Sequence, residues 1–587
     1  MSPSQIIVLA TPVFLLLIAL EFAWGLRKRR NTYRLNDAVN SISLGMMSEI
    51  SKVFTRLLRV GIYGAVATHV SLVPASAAHE FWTAWYGWPL ALLFYDFCYY
   101  WLHRAGHECA LFWAAHAVHH QSQDYNLSTA LRQTSSGALF GWVFYLPMAL
   151  AGVPPIVFGT VALIDLLYQF WVHTEHVGKL GWVDRWFCSP SNHRVHHAVN
   201  NDYLDRNYGG VLIVWDRLFG SFQEEGEKCI YGTRSPLNSW DPLWSNAEVY
   251  WSLGRDSWHA RNWIDKLRVW FKPPGWRPAD VAARFPKPEF NLAQVQRYHP
   301  PVSQRTLAFA SSQFLLLLGA VAFFLWHADS LPLTRSAVWL AALAAALWSV
   351  GAVLQGRVTL LEALLIEAAA LSTATGAEGI TALHYIFKPL AMLLALLYLA
   401  RSRRAAGSSR RLDYLLGAGL ACALIGDCLL MLPGLFIPGL VAFLVAHLCY
   451  LGAFSQGLPL LPGTTALLAT LGVSGALYGV LYPGLNPVLR IAVGAYAVVI
   501  ALMAAQAIGR AQWLQQRHAR AVAVGAMLFM LSDALLAINR FALPLPMAQF
   551  WVLASYYGAQ ILIVTGLVRA TFDAAARAPG AQPLPAS

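Results

Sequence analysis

Ten of the eighteen histidines lie between residues 103 and 197, as HRAGH (His103, His107), HAVHH (His116, His119, His120), HTEH (His173, His176) and HRVHH (His193, His196, His197). On a helix, residues three and four apart share a face, so HxxxH and HxxHH each aim their imidazoles one way, as a metal site needs. Imidazole suits Zn, Cu, Fe and Ni, so ligand type alone does not name the ion. Ligand number narrows the choice: eight or nine histidines exceed the four of a tetrahedral zinc site and are enough for two ions with open positions. Two ions facing a lipid point to activation of O2, which requires a redox metal, iron before others. His176, three residues past His173, is read either as a ligand or as a group behind one. Asp96, Glu108, Asp124, Asn126, Asp165, Glu175 and Asn192 are near enough in sequence to orient the rings. The scattered His69, His79, His259, His299, His327, His384 and His518 are read as interfacial side chains with satisfied hydrogen bonds.

A second set of reactive groups stands in apolar surroundings. Lys388 opens a span in FKPL, Asp427 lies in LIGDCLLML and Asp533 in LFMLSDALLA, and a charge within the membrane is costly enough to imply a role. Alternating spans bring the three to one depth, in the outer half of the bilayer. His447, Tyr450, Tyr556, Tyr557 and Gln560 enter on neighbouring spans and are expected to line the same cavity. A buried Lys–Asp pair can simply neutralise itself and fix helix packing. Two carboxylates also offer an acid and a base, the pairing that splits an acetal through an oxocarbenium-like state, and a vinyl ether follows related chemistry.

The elements that must carry these groups are membrane helices. Of 587 residues, 57% are hydrophobic and only 12% charged, too few to cover a soluble protein. The net charge of +12 does not indicate nucleic acid: the basic residues gather at RKRR (Arg27 to Arg30), Arg401 to Arg411 and Arg510 to Arg520, each beside an apolar run. That is the positive-inside pattern of cytoplasmic loops. Seven dispersed cysteines with no CxxC pairing read as structural thiols. MSPSQ has no basic residue before its apolar run and four after it, which predicts a retained first span starting outside rather than a cleaved signal.

Apolar stretches of spanning length fall near 5–24, 56–75, 85–102, 137–153 and 156–172, some short enough to be tilted or re-entrant. Ten more follow near 306–326, 336–353, 358–374, 385–400, 413–432, 436–455, 464–482, 487–507, 521–537 and 548–569. The prediction is an all-α polytopic membrane protein with about fifteen transmembrane helices, and the stretch 174–304 as a cytoplasmic cap over the histidines. His, Trp and Tyr dominate before about 305, and Ala, Leu and Gly afterwards, which predicts two modules. The expected boundaries are 1–305 for the histidine domain, 306–375 for connecting helices, 376–572 for the second membrane domain and 573–587 for a tail.

The order HxxxH, HxxHH, a lone histidine after a hairpin of spans, then HxxHH resembles the fatty acid hydroxylase and sterol desaturase superfamily. The strings YDFCYYWLHRAGHE, WAAHAVHHQSQDYNLSTALRQ and SPSNHRVHHAVNNDYLDRNYGGVLIVWDRLFGSF are more specific and resemble the alkylglycerol monooxygenase family over roughly residues 35–300. The resemblance implies a di-iron centre, tetrahydrobiopterin as reductant and hydroxylation of an ether lipid beside the ether oxygen, giving a hemiacetal that collapses to fatty aldehyde and glycerol. It implies ligand roles for His103, His107, His116, His119, His120, His173, His193, His196 and His197, and places Glu108 on the family's acidic position. No motif marks a pterin site. FKPL, the GD of LIGDCLLMLPGLFIPGLVAFLVAHLCY and the SD of GAMLFMLSDALLA resemble the lysoplasmalogenase-like integral membrane family over about 376–572. That resemblance implies vinyl ether hydrolysis, with Asp427 and Asp533 as catalytic carboxylates, Lys388 as their charge partner and His447 as a further candidate.

Three functions follow. The first is a bifunctional ether-lipid enzyme, monooxygenase and vinyl-ether hydrolase, taking membrane ether glycerolipids, O2 and a soluble reductant. The second is a di-iron sterol or fatty acyl hydroxylase or desaturase with a non-catalytic second half. The third, a metal transporter or sensor, requires ligands near the bilayer midplane rather than at one face. The expected location is a bacterial inner membrane or an endoplasmic-reticulum-type membrane, with the N terminus outside, the histidines cytoplasmic and the acidic site on the opposite side.

Overall fold

The computed structural model describes residues 2–56, 58, 61–406 and 410–576, so residues 407–409 of the second basic stretch and most of the expected tail lie outside the described residues. Every named element is helical; pairing between extended segments is limited to two isolated bridges among the described residues. The chain divides into two compact units, one comprising 1–336 with 350–357 and the other 337–349 with 358–587.

In the first unit, α1 (Pro3–Arg27) is apolar and starts on a capping box in which Ser2 and Gln5 satisfy one another's backbone N–H groups. Next comes α2 (Leu35–Arg56), which hydropathy does not reveal. It buries Asn36, Asp37, Asn40, Ser41, Ser43 and Ser48, and their partners explain why. Asn40 donates to the Trp240 carbonyl (2.8 Å) and accepts from Arg132 (2.7 Å), Ser48 donates to the Thr134 carbonyl (2.7 Å), and Asp37 accepts from Ser122 (2.5 Å). Buried polar groups are tolerated when paired, and this helix is a polar brace rather than a span.

The helices that carry the histidines are α3 (Gly87–Glu108), the short α4 (Ala117–His120), α5 (Pro155–Trp171) and α6 (Pro190–His197). The last starts cleanly because Ser189 caps it and Pro190 occupies its first turn. The unit ends with α7 (Gln304–His327).

The second unit is a bundle of long helices: α8 (Leu333–Leu354), whose last residues belong to the first unit, α9 (Leu360–Ala377), α10 (Thr381–Ala406), α11 (Arg410–Leu430), α12 (Phe436–Phe454), α13 (Thr464–Leu481), α14 (Pro487–Leu514), α15 (Arg517–Phe541) and α16 (Ala548–Ala576). Its core runs through Met392, Leu420, Tyr450, Phe454, Phe529 and Ile563, all buried. Small residues allow the close approach: a Cβ on Gly419 of α11 would lie 2.5 Å from the Tyr450 ring, and one on Gly426 would lie 2.7 Å from Phe443.

Among the described residues, eleven helices are long and apolar enough to cross a membrane, namely α1 and α7 to α16, and the chain is an integral membrane protein. The difference from about fifteen lies wholly in the first unit. Among the described residues, the stretch 56–75 holds Ile62–His69 as a helix, and 137–153 runs through Gly137–Phe140, Gly141–Tyr145 and Leu146–Leu150. Gly137, Gly141 and Pro147 interrupt the second of these. Helix α5 has 17 residues, below spanning length, and α3 carries Asp96, His103, Arg104, His107 and Glu108.

Candidate metal centre and buried acid cluster

In the first unit, α3 presents His103 and His107 one turn apart, and the chain turns through Ala110–Ala114 to bring His116, His119 and His120 back against them. His173 follows α5 by two residues, and α6 supplies His193, His196 and His197. These nine sort into two groups: His103, His107, His116, His120 and His196 form one, and His119, His173, His193 and His197 the other, with ligand atoms in each group within 4.8 Å of one another. Neighbouring Nε2 atoms are 3.2 Å apart for His103–His116 and His107–His120, 3.0 Å for His116–His120, 3.2 Å for His119–His173 and His193–His197, and 3.1 Å for His173–His193.

The opposite ring nitrogens decide what those contacts are. His103 Nδ1 donates to the Tyr208 carbonyl (2.8 Å), His119 to that of Arg132 (2.9 Å), His173 to that of Gln169 (2.8 Å) and His196 to that of Arg206 (3.0 Å). A carbonyl only accepts, so each Nδ1 carries the hydrogen, and in the neutral ring Nε2 is a bare lone pair. His119 and His173 thus bring two bare lone pairs to 3.2 Å with no proton to share, and the buried Nε2 of His196 has no hydrogen-bond partner among the described residues. Burial, and after it the neighbouring imidazoles, hold His116, His120, His193, His196 and His197 well below the ordinary histidine range, and burial lowers His119 to about 4. They are neutral donors, as metal ligation requires.

The set fits metal ions. Two nitrogens each about 2.1 Å from a shared ion stand about 3.0 Å apart at a right angle and about 3.4 Å apart at the tetrahedral angle. The observed spacings of 3.0–3.2 Å fall within this interval, as nitrogens converging on a shared ion would. A polar cavity lined by Asp37, Gln121, Arg132, Trp240 and Tyr298 measures about 10 Å³, room for a water.

Residues expected near the metals have other tasks. His176 is outside both groups. Glu108 pairs with Arg104 (2.9 Å) and is half-exposed, and Glu175 lies 3.7 Å from Arg30. Asp96 accepts from the Val211 N–H (2.7 Å), the Leu212 N–H (3.0 Å) and Trp215 Nε1 (2.9 Å), tying α3 to the segment after α6. Asn192 donates to the Asp184 and Phe187 carbonyls (3.0 and 3.1 Å). Asp124 accepts from Arg34 (2.7 Å), Asn126 caps Leu127–Ala130, and Asp165 accepts from Gln169 (2.5 Å).

Sequence reasoning missed Arg132 and Asp205. Buried Arg132 donates to the Val118 carbonyl (2.7 Å) beside His119, while its own carbonyl takes the His119 Nδ1 hydrogen. Asp205 lies 3.3 Å from His107 Nδ1. Both fall inside the strings quoted for the family, but no local spacing marks a residue whose partner is distant in sequence.

In the second unit, Lys388 of α10 lies 3.4 Å from Asp427 of α11, both buried, and Tyr556 of α16 donates to the same carboxylate (2.5 Å). Lys388 was expected to serve both carboxylates. Asp533 of α15 instead accepts from Tyr496 of α14 (2.5 Å) and meets His447 of α12 at 3.1 Å; Tyr496, itself 2.8 Å from His447, was not foreseen. The ring of Phe529 faces both His447 (4.6 Å) and Tyr556 (5.4 Å), linking the two carboxylate groups. Tyr450 donates to Gln560 (2.8 Å), and Tyr557 shares a hydrogen bond with Ser372 (2.8 Å). Two buried polar atoms here, His447 Nδ1 and Gln560 Nε2, have no partner.

The fatty acid hydroxylase family model matches residues 88–221, and the YhhN family model matches residues 383–567. The alkylglycerol monooxygenase of Danio rerio is 39% identical over 322 residues, covering 53% of this chain and 68% of its own length. That of Homo sapiens is 39% identical over 310 residues, 52% of this chain and 66% of its own length, so the chain spans about two thirds of these relatives. Lysoplasmalogenase TMEM86B of Sus scrofa is 38% identical over 178 residues, 30% of this chain and 72% of its own length. No solved structure matches the chain. With the nine histidines inside one family match and the buried carboxylates inside the other, the chain belongs to the alkylglycerol monooxygenase family over its first half and to the family of YhhN and lysoplasmalogenase TMEM86B over its second.

Proposed function

We propose that the chain is a bifunctional ether-lipid-degrading membrane enzyme, a di-iron monooxygenase of alkylglycerol ethers in its first unit and a hydrolase of lysoplasmalogen vinyl ethers in its second, each releasing fatty aldehyde. The observation that carries the first half is the pair of buried histidine groups, in one of which His119 and His173 bring bare Nε2 atoms to 3.2 Å with no proton between them. His103, His107, His116, His120 and His196 would hold one iron and His119, His173, His193 and His197 the other. Bound there, the ions supply O2 activation. The chain's own part is to fix the rings through Nδ1 and to exclude water by burial. Electrons come from a soluble reductant. Pterin rests on the family relation alone, and no step is routed through it. The basic residues after α1 support a topology with the N terminus outside and the histidine centre cytoplasmic, in a bacterial inner membrane or a reticulum-type membrane.

In the second unit the two carboxylates divide the work. Lys388, 3.4 Å from Asp427, offsets the charge of a carboxylate placed to face a developing cation. Among the described residues Asp533 meets Tyr496 and His447, and the Asp533–His447 pair would be the proton donor. That proton passes to the alkene carbon of the vinyl ether, the oxocarbenium ion forms opposite Asp427, and water adds and returns a proton to the pair. The hemiacetal then collapses to aldehyde and the glycerol-bearing alcohol.

The test is aldehyde trapping after incubation of the full chain with a 1-alkylglycerol under O2 and, separately, with a lysoplasmalogen. His119→Ala should abolish the oxygen-dependent reaction only, and Asp427→Asn the hydrolysis only. Loss of both from either substitution, or no aldehyde from either substrate in an iron-replete preparation, would sink the proposal.

A further inference from the structure

Three of the five histidines in the larger group are oriented by a single turn. His107 Nδ1 faces Asp205 Oδ1 (3.3 Å), His196 Nδ1 donates to the Arg206 carbonyl (3.0 Å), and His103 Nδ1 donates to the Tyr208 carbonyl (2.8 Å). Reaching them takes unusual backbone: Asp205 has φ 55° and Asn207 φ 57°, a left-handed conformation that non-glycine residues seldom adopt and that Asp and Asn tolerate best.

Such strain persists only where the surroundings over-determine it, and here they do. Asn207 is fully buried; its N–H donates to the Ser221 carbonyl (3.0 Å), its Oδ1 accepts from the Gln223 N–H (2.8 Å), and its Nδ2 donates to the carbonyls of Asn192 (3.0 Å) and Gln223 (2.8 Å). The Tyr208 N–H donates to Asp216 (2.7 Å), and its hydroxyl donates to the Asp205 carbonyl (2.8 Å).

The smaller group has no such arrangement. His119 and His173 donate to the neutral carbonyls of Arg132 and Gln169, and His193 Nδ1 faces the Cys188 sulfur at 4.0 Å. Asp205, with 45% of its side chain exposed, is therefore the carboxylate that backs an imidazole of the centre, and it backs one in the five-histidine group only.

We infer that the 205–208 turn is the positioning element of the five-histidine group, and that Asp205, acting through His107, makes the two metals unequal. This rests on the di-iron reading above. A carboxylate behind a ligating imidazole raises its basicity and favours the more oxidised metal. The iron held by five histidines is then the harder one to reduce, and the iron held by four takes the first electron.

The experiment uses the full chain loaded with ⁵⁷Fe in detergent, with iron content and Mössbauer spectra recorded during stepwise reduction. The wild type should hold two irons whose ferric signals, of equal area, disappear at different potentials. Asp205→Asn keeps an oxygen that can accept the His107 hydrogen and removes the charge, so both irons should remain while their potentials move together. Asp205→Glu should restore the separation. Asn207→Ala should release one iron of the two, because it loosens the anchor of one group.

Two irons with one potential in the wild type would overturn the inference while leaving the di-iron reading in place, as would an unchanged separation in Asp205→Asn. Loss of both irons, or of neither, from Asn207→Ala would overturn the role of the turn. A wild type without two irons would defeat the di-iron reading itself, before any variant is compared.

Discussion

His119 and His173 show what a single ring orientation commits the protein to. Their Nδ1 hydrogens are held by carbonyls, and their Nε2 atoms face each other at 3.2 Å. Stripping metal should therefore destabilise the first unit through mutual repulsion of bare lone pairs, and the loss should deepen with acid. The unfolded chain takes up protons below the ordinary histidine value of about 6.5. Buried His119 resists protonation down to about 4. The unfolded state binds more protons across that interval, so stability is fully present above about 6.5 and falls as pH drops towards about 4. Thermal melts of metal-free protein on both sides of the interval check this, and a flat profile would contradict it. Asp96→Ala should be costly for a different reason. It strands two backbone N–H groups and the Trp215 indole N–H, a loss on the order of 3 kcal/mol or more at roughly 1–3 kcal/mol for each buried unpaired group. Denaturation melts of the iron-loaded variant would read it.

At the scale of elements, α11 and α12 pack through glycine, and the chemistry of the second unit depends on that contact. Gly419→Val would drive a side chain into the Tyr450 ring and dislodge its hydrogen bond to Gln560. A cost of about 1–3 kcal/mol, the usual range for overpacking, and a several-fold fall in hydrolysis are expected, with oxygen-dependent aldehyde release unchanged. The elements also show what could be read in the residues. HxxxH and HxxHH spacing depends only on helical geometry, and all nine expected ligands meet in the two groups. Their division into five and four, with His119 and His120 on different sides, depends on how four separate segments turn, which no local spacing encodes. Hydropathy found α1 and the ten long helices from α7 onward, because each is apolar over its whole length. It missed α2, whose buried face is polar and paired, and it also marked stretches of the first unit that form shorter apolar helices. In the second unit the intramembrane charges identified Asp427, Asp533 and Lys388, whereas Tyr496, one aromatic among many, carried no mark in the sequence.

At the scale of the whole molecule, removing four crossings from the expected fifteen takes away an even number. The parity of the count, and with it the side expected for each basic loop, is unchanged. In a background without the seven native cysteines, Lys28→Cys and Arg517→Cys should react with an impermeant maleimide only after the cells are opened. Labelling of either in intact cells would reverse the assignment. The contact at Gly351 bears on where this gene could ever be cut. A Cβ there would lie 2.1 Å from the Trp240 carbonyl, so the segment 350–357 nests against the first unit although it lies beyond residue 336. An open reading frame ended at residue 305, where the composition changes, would encode all nine clustered histidines and still omit a piece of the first unit that packs on Trp240. A free-standing version of the first half must be translated past Arg357, and a stop codon placed before it should yield protein that binds iron poorly despite having all nine ligands.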